Sequence, residues 1–487
     1  MDKPVAMFDR DFEWRALTDF AQDDAPGATL GVVSGRRRQG KTFLLRALCH
    51  QLGGFYFAAE EATDGESLRR FGAALAEHTG APAAFDFGDW RTAVDALLAL
   101  GRNRPIVAVI DEFPYLARAN KSLPSVIQNA LAPLRPERDE SRTRLLLCGS
   151  AMSFMGKLLA RDGPLRGRAG LELVVPTLDH QLAAQFWSIG DPSLALRVHA
   201  IVGGTPAYRR EFVRDDAPRS PDDFDPWVVR TVLNRASPLF REARYLLADE
   251  PDMKDTALYH SVLAAIASGN TTRGAIASFL GRKSGDLAHP LDVLEDAGLI
   301  STAQDAFHRR RTNFRITEPL VTFYHAVMRP IWADLEQATD PSQLWRSSQP
   351  RFATSVLGPH FEHVCRQWTR YFAADRALGG TPTEVAHGTV NDPANQTSHQ
   401  LDTVAFGRTD DDRKILLAIG EAKWGETIGL PHLDRLRHVR ALLEAHGIDG
   451  AATAKLMLYG QAGFTAEATT AADQSSDIVL ISASDLY

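Results

Sequence analysis

The sequence predicts an α/β protein of several domains: a parallel sheet with covering helices, a helical lid, a winged helix-turn-helix and a second, C-terminal α/β domain. Three observations carry this. A length of 487 residues, at roughly 150 per domain, corresponds to about three domains. Between Thr29 and Val175 the apolar runs TLGVVS, FYFAA, PIVAVID, RLLLCGS and LELVV alternate with longer helical stretches, the rhythm of a parallel sheet. From about residue 355 a new helix, FEHVCRQWTRYF, is followed by strand-like QLDTVAF and ILLAIGEAKW.

The elements follow in order. Residues 1–178 hold the first sheet, whose nearly continuous apolar runs suit strands covered on both faces. Residues 179–250 read as a helical lid that includes the turn-rich GGTPAY, Gly203 to Tyr208. In residues 251–335, Tyr259, Val262, Leu263 and Ile266 mark one helix face. Ile276, Phe279 and Leu280 mark a second, and Leu287, Leu291 and Leu294 a third. Gly298 ends the third helix, and LISTAQDAFHRRRTNFRIT gives two β-like runs around a polar centre, completing a winged helix-turn-helix. Residues 350–487 form the C-terminal domain, with a polar stretch from Gly379 to His399.

Composition excludes several classes. Hydrophobic residues at 44% and charged residues at 24% allow each domain a proper core. With 54 Lys plus Arg against 61 Asp plus Glu, the formal charge is −7, so any nucleic-acid contact must come from a local basic patch. Cys49, Cys148 and Cys365 are far apart, with no disulfide or zinc spacing. No apolar run reaches the roughly 20 residues of a membrane helix, and the acidic N-terminus is unlike a signal peptide. A cytoplasmic protein without a membrane partner is expected.

Gly35, Arg36, Arg37, Arg38, Gln39, Gly40, Lys41 and Thr42 spell GxxxxGK[ST] between a strand and a helical run that continues from Phe43. Gly35 and Gly40 permit backbone conformations and close approach that side chains obstruct, so successive N–H groups can face a phosphate at a helix N-terminus. Lys41 is then placed to bridge β- and γ-phosphates, and Thr42 to ligate Mg²⁺. Arg36, Arg37 and Arg38 are either added phosphate contacts or loop charges that meet solvent or another part of the chain. The run IVAVIDE delivers Asp111 to a strand end, where a carboxylate holds the Mg²⁺ shell, and Glu112 is next in line to polarise water. Ser150, ending LLLCGS, is either a water or γ-phosphate contact or a helix N-cap. Arg166 and Arg168 are candidates for transition-state charge in this or a neighbouring active site, or ordinary surface arginines.

GRRRQGKT, DEFPYL, CGSAMSFM, GPLRGR and GGTPAY together resemble the archaeal-type ATPases, of the AAA-like and STAND-like P-loop branch, over about residues 5–330. The resemblance implies a P-loop NTPase core that binds ATP with Mg²⁺, with Asp9 and Arg10 near the adenine, a winged helix packed after the lid, and Arg168 as arginine finger.

His308 to Arg315, with Arg309, Arg310 and Arg311, makes the wing the densest positive charge in its half of the chain. It suits salt-sensitive duplex binding equally with a protein-protein module or a lever that packs on the ATPase. Acids on the third helix argue against base reading by it. In the C-terminal domain Glu421 and Lys423 share a strand face, and Asp402 joins them if the two strands pair. Two carboxylates binding Mg²⁺ with a lysine that orients water would hydrolyse a phosphodiester; an ordinary strand ion pair is the plain alternative. This D…ExK pattern resembles the PD-(D/E)XK restriction-endonuclease-like fold over about residues 355–487, which implies a further acid at Glu362 on the preceding helix. The expectation is a Mg²⁺-dependent ATPase that acts on DNA through a nuclease-like domain. Its rivals are a nucleotide-controlled switch or scaffold with an inactive last domain, and a transcription regulator. A homo-oligomer or a protein partner is compatible with either.

Overall fold

The computed structural model describes residues 1–248, 256–308 and 310–487; Arg309 and the boundary at residues 250 and 251 lie outside them. Strands β1 (Thr29–Ser34), β2 (Phe55–Ala58), β3 (Ile106–Asp111), β4 (Thr143–Gly149) and β5 (Ala169–Val174) form one parallel sheet in the order β2-β3-β4-β1-β5. In β3, Ala108 and Ile110 enter one core while Val107 and Val109 enter another. Two buried faces explain the unbroken apolar runs. The edge strand β5 departs from that pattern: its burial alternates and Val174 is 51% exposed, since among the described residues no strand pairs beyond it.

Helices His180–Trp187, Pro192–Val202, Phe224–Thr231 and Pro238–Ala248 come next. Helices Thr256–Ala267, Arg273–Leu280 and Ala288–Asp296 precede β6 (Ile300–Gln304) and β7 (Thr312–Ile316), an antiparallel pair. The middle helix of the three begins on Thr272, whose hydroxyl accepts the Ala275 N–H, and ends on left-handed Gly281. A single hydrophobic core joins all these elements. It runs from Leu178 through Trp227, Leu263, Leu291 and Phe323 to Trp345 and Leu357. Among the described residues, one core spans both sides of this boundary.

The C-terminal sheet contains β8 (Glu384–Asp392), β9 (Thr397–Arg408), β10 (Lys414–Lys423), β11 (Lys455–Gly460) and β12 (Ile478–Ser482), ordered β12-β11-β10-β9-β8. The pairs β8/β9 and β9/β10 are antiparallel; β10/β11 and β11/β12 are parallel. Helix Gly358–Tyr371 covers one face with Phe361, Val364 and Cys365, and helix Leu430–Ala445 the other with Leu433, Leu436 and Val439. The polar stretch from Gly379 to His399 contains β8, whose edge position leaves it half covered and so without an apolar signature.

This domain docks on the others. Leu196 enters its core, and the Leu486 carbonyl lies 2.8 Å from both His180 Nε2 and Gln181 Nε2. The β6–β7 turn lies against β8: Ala306 N donates to His387 O at 2.9 Å, and Arg311 donates to Thr389 Oγ1 at 3.2 Å. Arg315, expected on an open wing, is instead partly buried, and burial pushes its guanidinium down to about 9. Of the described arginines between β6 and β7, Arg310 and Arg311 remain exposed. Among the described residues, no helix is long and apolar enough to cross a membrane.

Candidate functional site

Three parallel strands end side by side at one edge of the first sheet. Ser34 pairs with Gly149, and Ile110, one residue before Asp111, pairs with Leu147. The residues that follow each strand therefore meet above the carboxyl ends, where open α/β sheets bind ligands. Gly35 leaves β1 at φ +147°, and a Cβ there would stand 2.6 Å from Val175 O. Gly40, at φ +89°, precedes helix Lys41–Leu52 with open space where a side chain would be, and no side chain caps that helix. The first-turn N–H groups of a 12-residue helix thus face the loop it closes.

Lys41 is 6% exposed and donates from Nζ to Gly35 O at 2.6 Å and Arg36 O at 2.8 Å. Burial lowers its pKa, while nearby acids including Glu112 and Asp111 oppose the shift. Thr42 Oγ1 donates to Asp111 Oδ2 at 2.8 Å, and Tyr56 OH donates to the same oxygen at 2.6 Å. Burial, then this bond, pushes the Tyr56 phenol up, so it stays a donor. Glu112 sits in left-handed backbone at φ 51°, and both its carboxylate oxygens accept from Ser150 Oγ, at 3.2 and 3.1 Å. Ser150 is therefore bound to Glu112 and is not the cap of the next helix, whose N-cap is Ala151. Phe43 stands 48% exposed on the first turn. The donor set suits Mg²⁺: a hydroxyl and a carboxylate in contact, both oxygen ligands, beside an uncapped helix end.

The three loop arginines part company. Arg36 pairs with Glu318 at 2.8 Å, and Glu318 is 2% exposed. Arg38 pairs with the equally buried Glu242 on helix Pro238–Ala248. Arg37 lies 3.4 Å from Tyr115 OH. Burial raises the Glu318 pKa, and Arg36 and Tyr208 oppose that shift. Gln39 Nε2 donates to Thr205 Oγ1 at 3.2 Å, so GGTPAY forms a second wall of the loop through Thr205 and Tyr208. Arg10 donates to Pro176 O at 2.8 Å and to Gln39 O at 3.4 Å, beside a cavity of about 370 Å³ lined by Asp9, Arg10, Thr177 and Tyr371. Arg168 is not part of this group. It precedes Ala169, which pairs with Leu30 at the start of β1, so it sits at the opposite end of the sheet from its own loop.

A second group forms on the C-terminal sheet. Gly420 pairs with Thr403, which brings Glu421 beside Asp402, and Ala422 N donates to Asp402 Oδ2 at 2.8 Å. Glu421 is bound by Lys423 at 2.9 Å and by Arg435 of helix Leu430–Ala445. Arg366 donates to Asp402 O at 2.6 Å and lies 3.8 Å from Glu362. Burial first, then the Asp402 charge, pushes the Glu362 carboxyl up to about 7. Asp402 is raised by burial and by Glu421. Carboxyls raised first by burial and then by a neighbouring acid suit a divalent cation. Sequence reading missed Tyr56, Glu242, Glu318 and Arg435, because each acts through a partner distant in the chain.

No protein-family model matches the chain. An uncharacterised protein of Methanocaldococcus jannaschii is 25% identical over 364 residues, 74% of this chain and 76% of that one. The chain is also similar to solved structures. A Walker-type ATPase of Pyrococcus abyssi is 20% identical, with a TM-score of 0.49, over 66% of this chain and 96% of that one. The ORC2 protein of Aeropyrum pernix, solved with ADPNP and ADP, is 15% identical, with a TM-score of 0.43, over 72% of this chain and 97% of that one. At these identities the residues of the site carry the functional argument.

Proposed function

We propose that the chain is a Mg²⁺-dependent ATPase coupled to a metal-dependent nuclease-like domain that acts on DNA. The contact of the Thr42 hydroxyl with the Asp111 carboxylate, at the mouth of the glycine-shaped loop, carries the ATPase reading. Lys41 and the N–H groups of the loop and first helical turn bind the phosphates, and Thr42 and Asp111 hold Mg²⁺, which neutralises charge on them. Glu112, fixed by Ser150, orients and polarises the attacking water. Tyr56 keeps the Asp111 carboxylate turned toward Thr42.

In the C-terminal domain Asp402, Glu421 and Glu362 would hold the ion for phosphodiester hydrolysis, and Lys423 would orient water. Arg168 would serve only the site of a neighbouring copy.

One observation favours a switch as a second reading of the same ATPase. Arg36 and Arg38 leave the phosphate loop to reach buried carboxylates on the helical region, so a change in the loop alters contacts with Glu318 and Glu242. A combined assay of ATP turnover and Mg²⁺- or Mn²⁺-dependent strand cleavage tests both readings. Turnover lost in Lys41→Ala and cleavage lost in Asp402→Ala support the enzyme. Tight nucleotide retention with negligible turnover and no cleavage across DNA and RNA substrates supports the switch.

A further inference from the structure

Beyond both sites, the C-terminal sheet brings together three side chains that no step above uses. Asp392 ends β8, His399 lies near the start of β9, and His438 lies on helix Leu430–Ala445. One donor atom from each lies within 4.8 Å of the other two. Asp392 Oδ2 is 2.8 Å from His438 Nε2 and 3.4 Å from His399 Nε2, so both imidazoles aim the same nitrogen at one carboxylate oxygen. The two rings stand at 77° with centroids 5.3 Å apart, converging rather than stacking.

We propose that Asp392, His399 and His438 form a binding site for a divalent transition-metal ion of the zinc class. Ligands about 2.0 Å from a tetrahedral ion lie ~3.3 Å apart, close to the spacings already present. Imidazole nitrogens with a carboxylate select zinc-like ions over Mg²⁺ or Ca²⁺, which take oxygen. The carboxylate is set in advance: Asp392 is 1% exposed, and Asn395 donates to it from its backbone N at 3.2 Å and from Nδ2 at 2.8 Å. Such outer support is a recurrent part of metal sites. Three protein ligands leave a fourth position, on the side of half-exposed His438, for water. The ion ties the β8–β9 turn to the helix. His438 lies three residues beyond Arg435, which holds Glu421, so the tripod borders the carboxylate group without sharing a residue with it.

The full chain, stripped with a chelator and dialysed against Zn²⁺, is assayed for bound metal, with Co²⁺ as a spectroscopic substitute. The wild type is expected to bind one more ion than His438→Ala or Asp392→Asn, and to give a visible Co²⁺ band that both variants lose. Asp402→Ala should keep that ion and band, and Asn395→Ala should weaken Zn²⁺ binding by about ten- to a hundredfold. His438 is a half-exposed helix residue, so its alanine variant keeps the fold, which circular dichroism verifies. Equal zinc in wild type and His438→Ala overturns the proposal and leaves a hydrogen-bonded His–Asp group. Loss of the extra ion in Asp402→Ala alone overturns it too, by moving the ion to the carboxylate group.

Discussion

At the phosphate loop the key carboxylate is held by hydroxyls, and on the C-terminal sheet by cations. Asp111 accepts from Thr42 and Tyr56, while Lys41 is turned onto backbone carbonyls. Glu421 is gripped by Lys423 and Arg435. Neutral donors orient Asp111 without cancelling its charge, so it can receive an ion with little rearrangement. Glu421 is already neutralised, and an ion there must first displace an arginine. The first region is prepared for its ligand; the second is held shut by its own side chains.

The largest effects test whether the two regions work separately. Lys41→Ala should lower ATP turnover at least about a hundredfold, the scale of losing a key electrostatic contact in a transition state. Asp402→Ala should abolish strand cleavage and leave turnover unchanged. Parallel measurements on one preparation decide this, and loss of both activities in either variant would merge the two sites into one.

Arg36 is an exception to the contrast, a loop cation that is already paired. Arg36→Met should leave Glu318 buried without its cation and destabilise the fold by about 3 kcal/mol near pH 8. The deficit should shrink as pH falls, because burial already raises the Glu318 pKa and the protonated acid needs no cation. Denaturant melts of both proteins across pH check the sign.

A third effect concerns Glu362, whose carboxyl burial and the Asp402 charge hold at about 7. It is protonated below that pH and cannot ligate, so Mn²⁺ affinity at the C-terminal site should rise as pH increases through about 7. The slope approaches tenfold per unit on the acid side if this one proton controls binding. In Glu362→Gln the affinity should be lower and flat across that window; an unchanged slope in a titration by calorimetry would sink the assignment. The smallest effect is expected of Arg435→Gln. Removing the competing cation should raise Mn²⁺ affinity by roughly tenfold, the equivalent of about 1.4 kcal/mol.

The same contrast explains what could be read from the chain. The five strands of the first sheet stand out because each must be apolar on two faces, and the phosphate loop because its chemistry is contiguous backbone between a strand and a helix. Asp402, Glu421 and Lys423 were legible as a pattern once two strands were assumed to pair. Strand β8 was not, since an edge strand carries HGTVND without penalty. The pairings of Arg36 with Glu318 and Arg38 with Glu242 join positions more than two hundred residues apart and have no local signature. Arg315 looked like wing charge because sequence cannot tell that tertiary packing would partly bury it.

The continuous core from Leu178 to Leu357 has a mechanical consequence. Since close-packed interiors yield little to small strains, helices, hairpin and following helices must turn together or not at all. Arg36 and Arg38 are tied to this core through Glu318 and Glu242, and the β6–β7 turn in the same stretch reaches the far sheet through Ala306 and His387. Heating should accordingly melt this stretch in one cooperative step, with no stage at which the helices between His180 and Ala248 are loose and the hairpin intact.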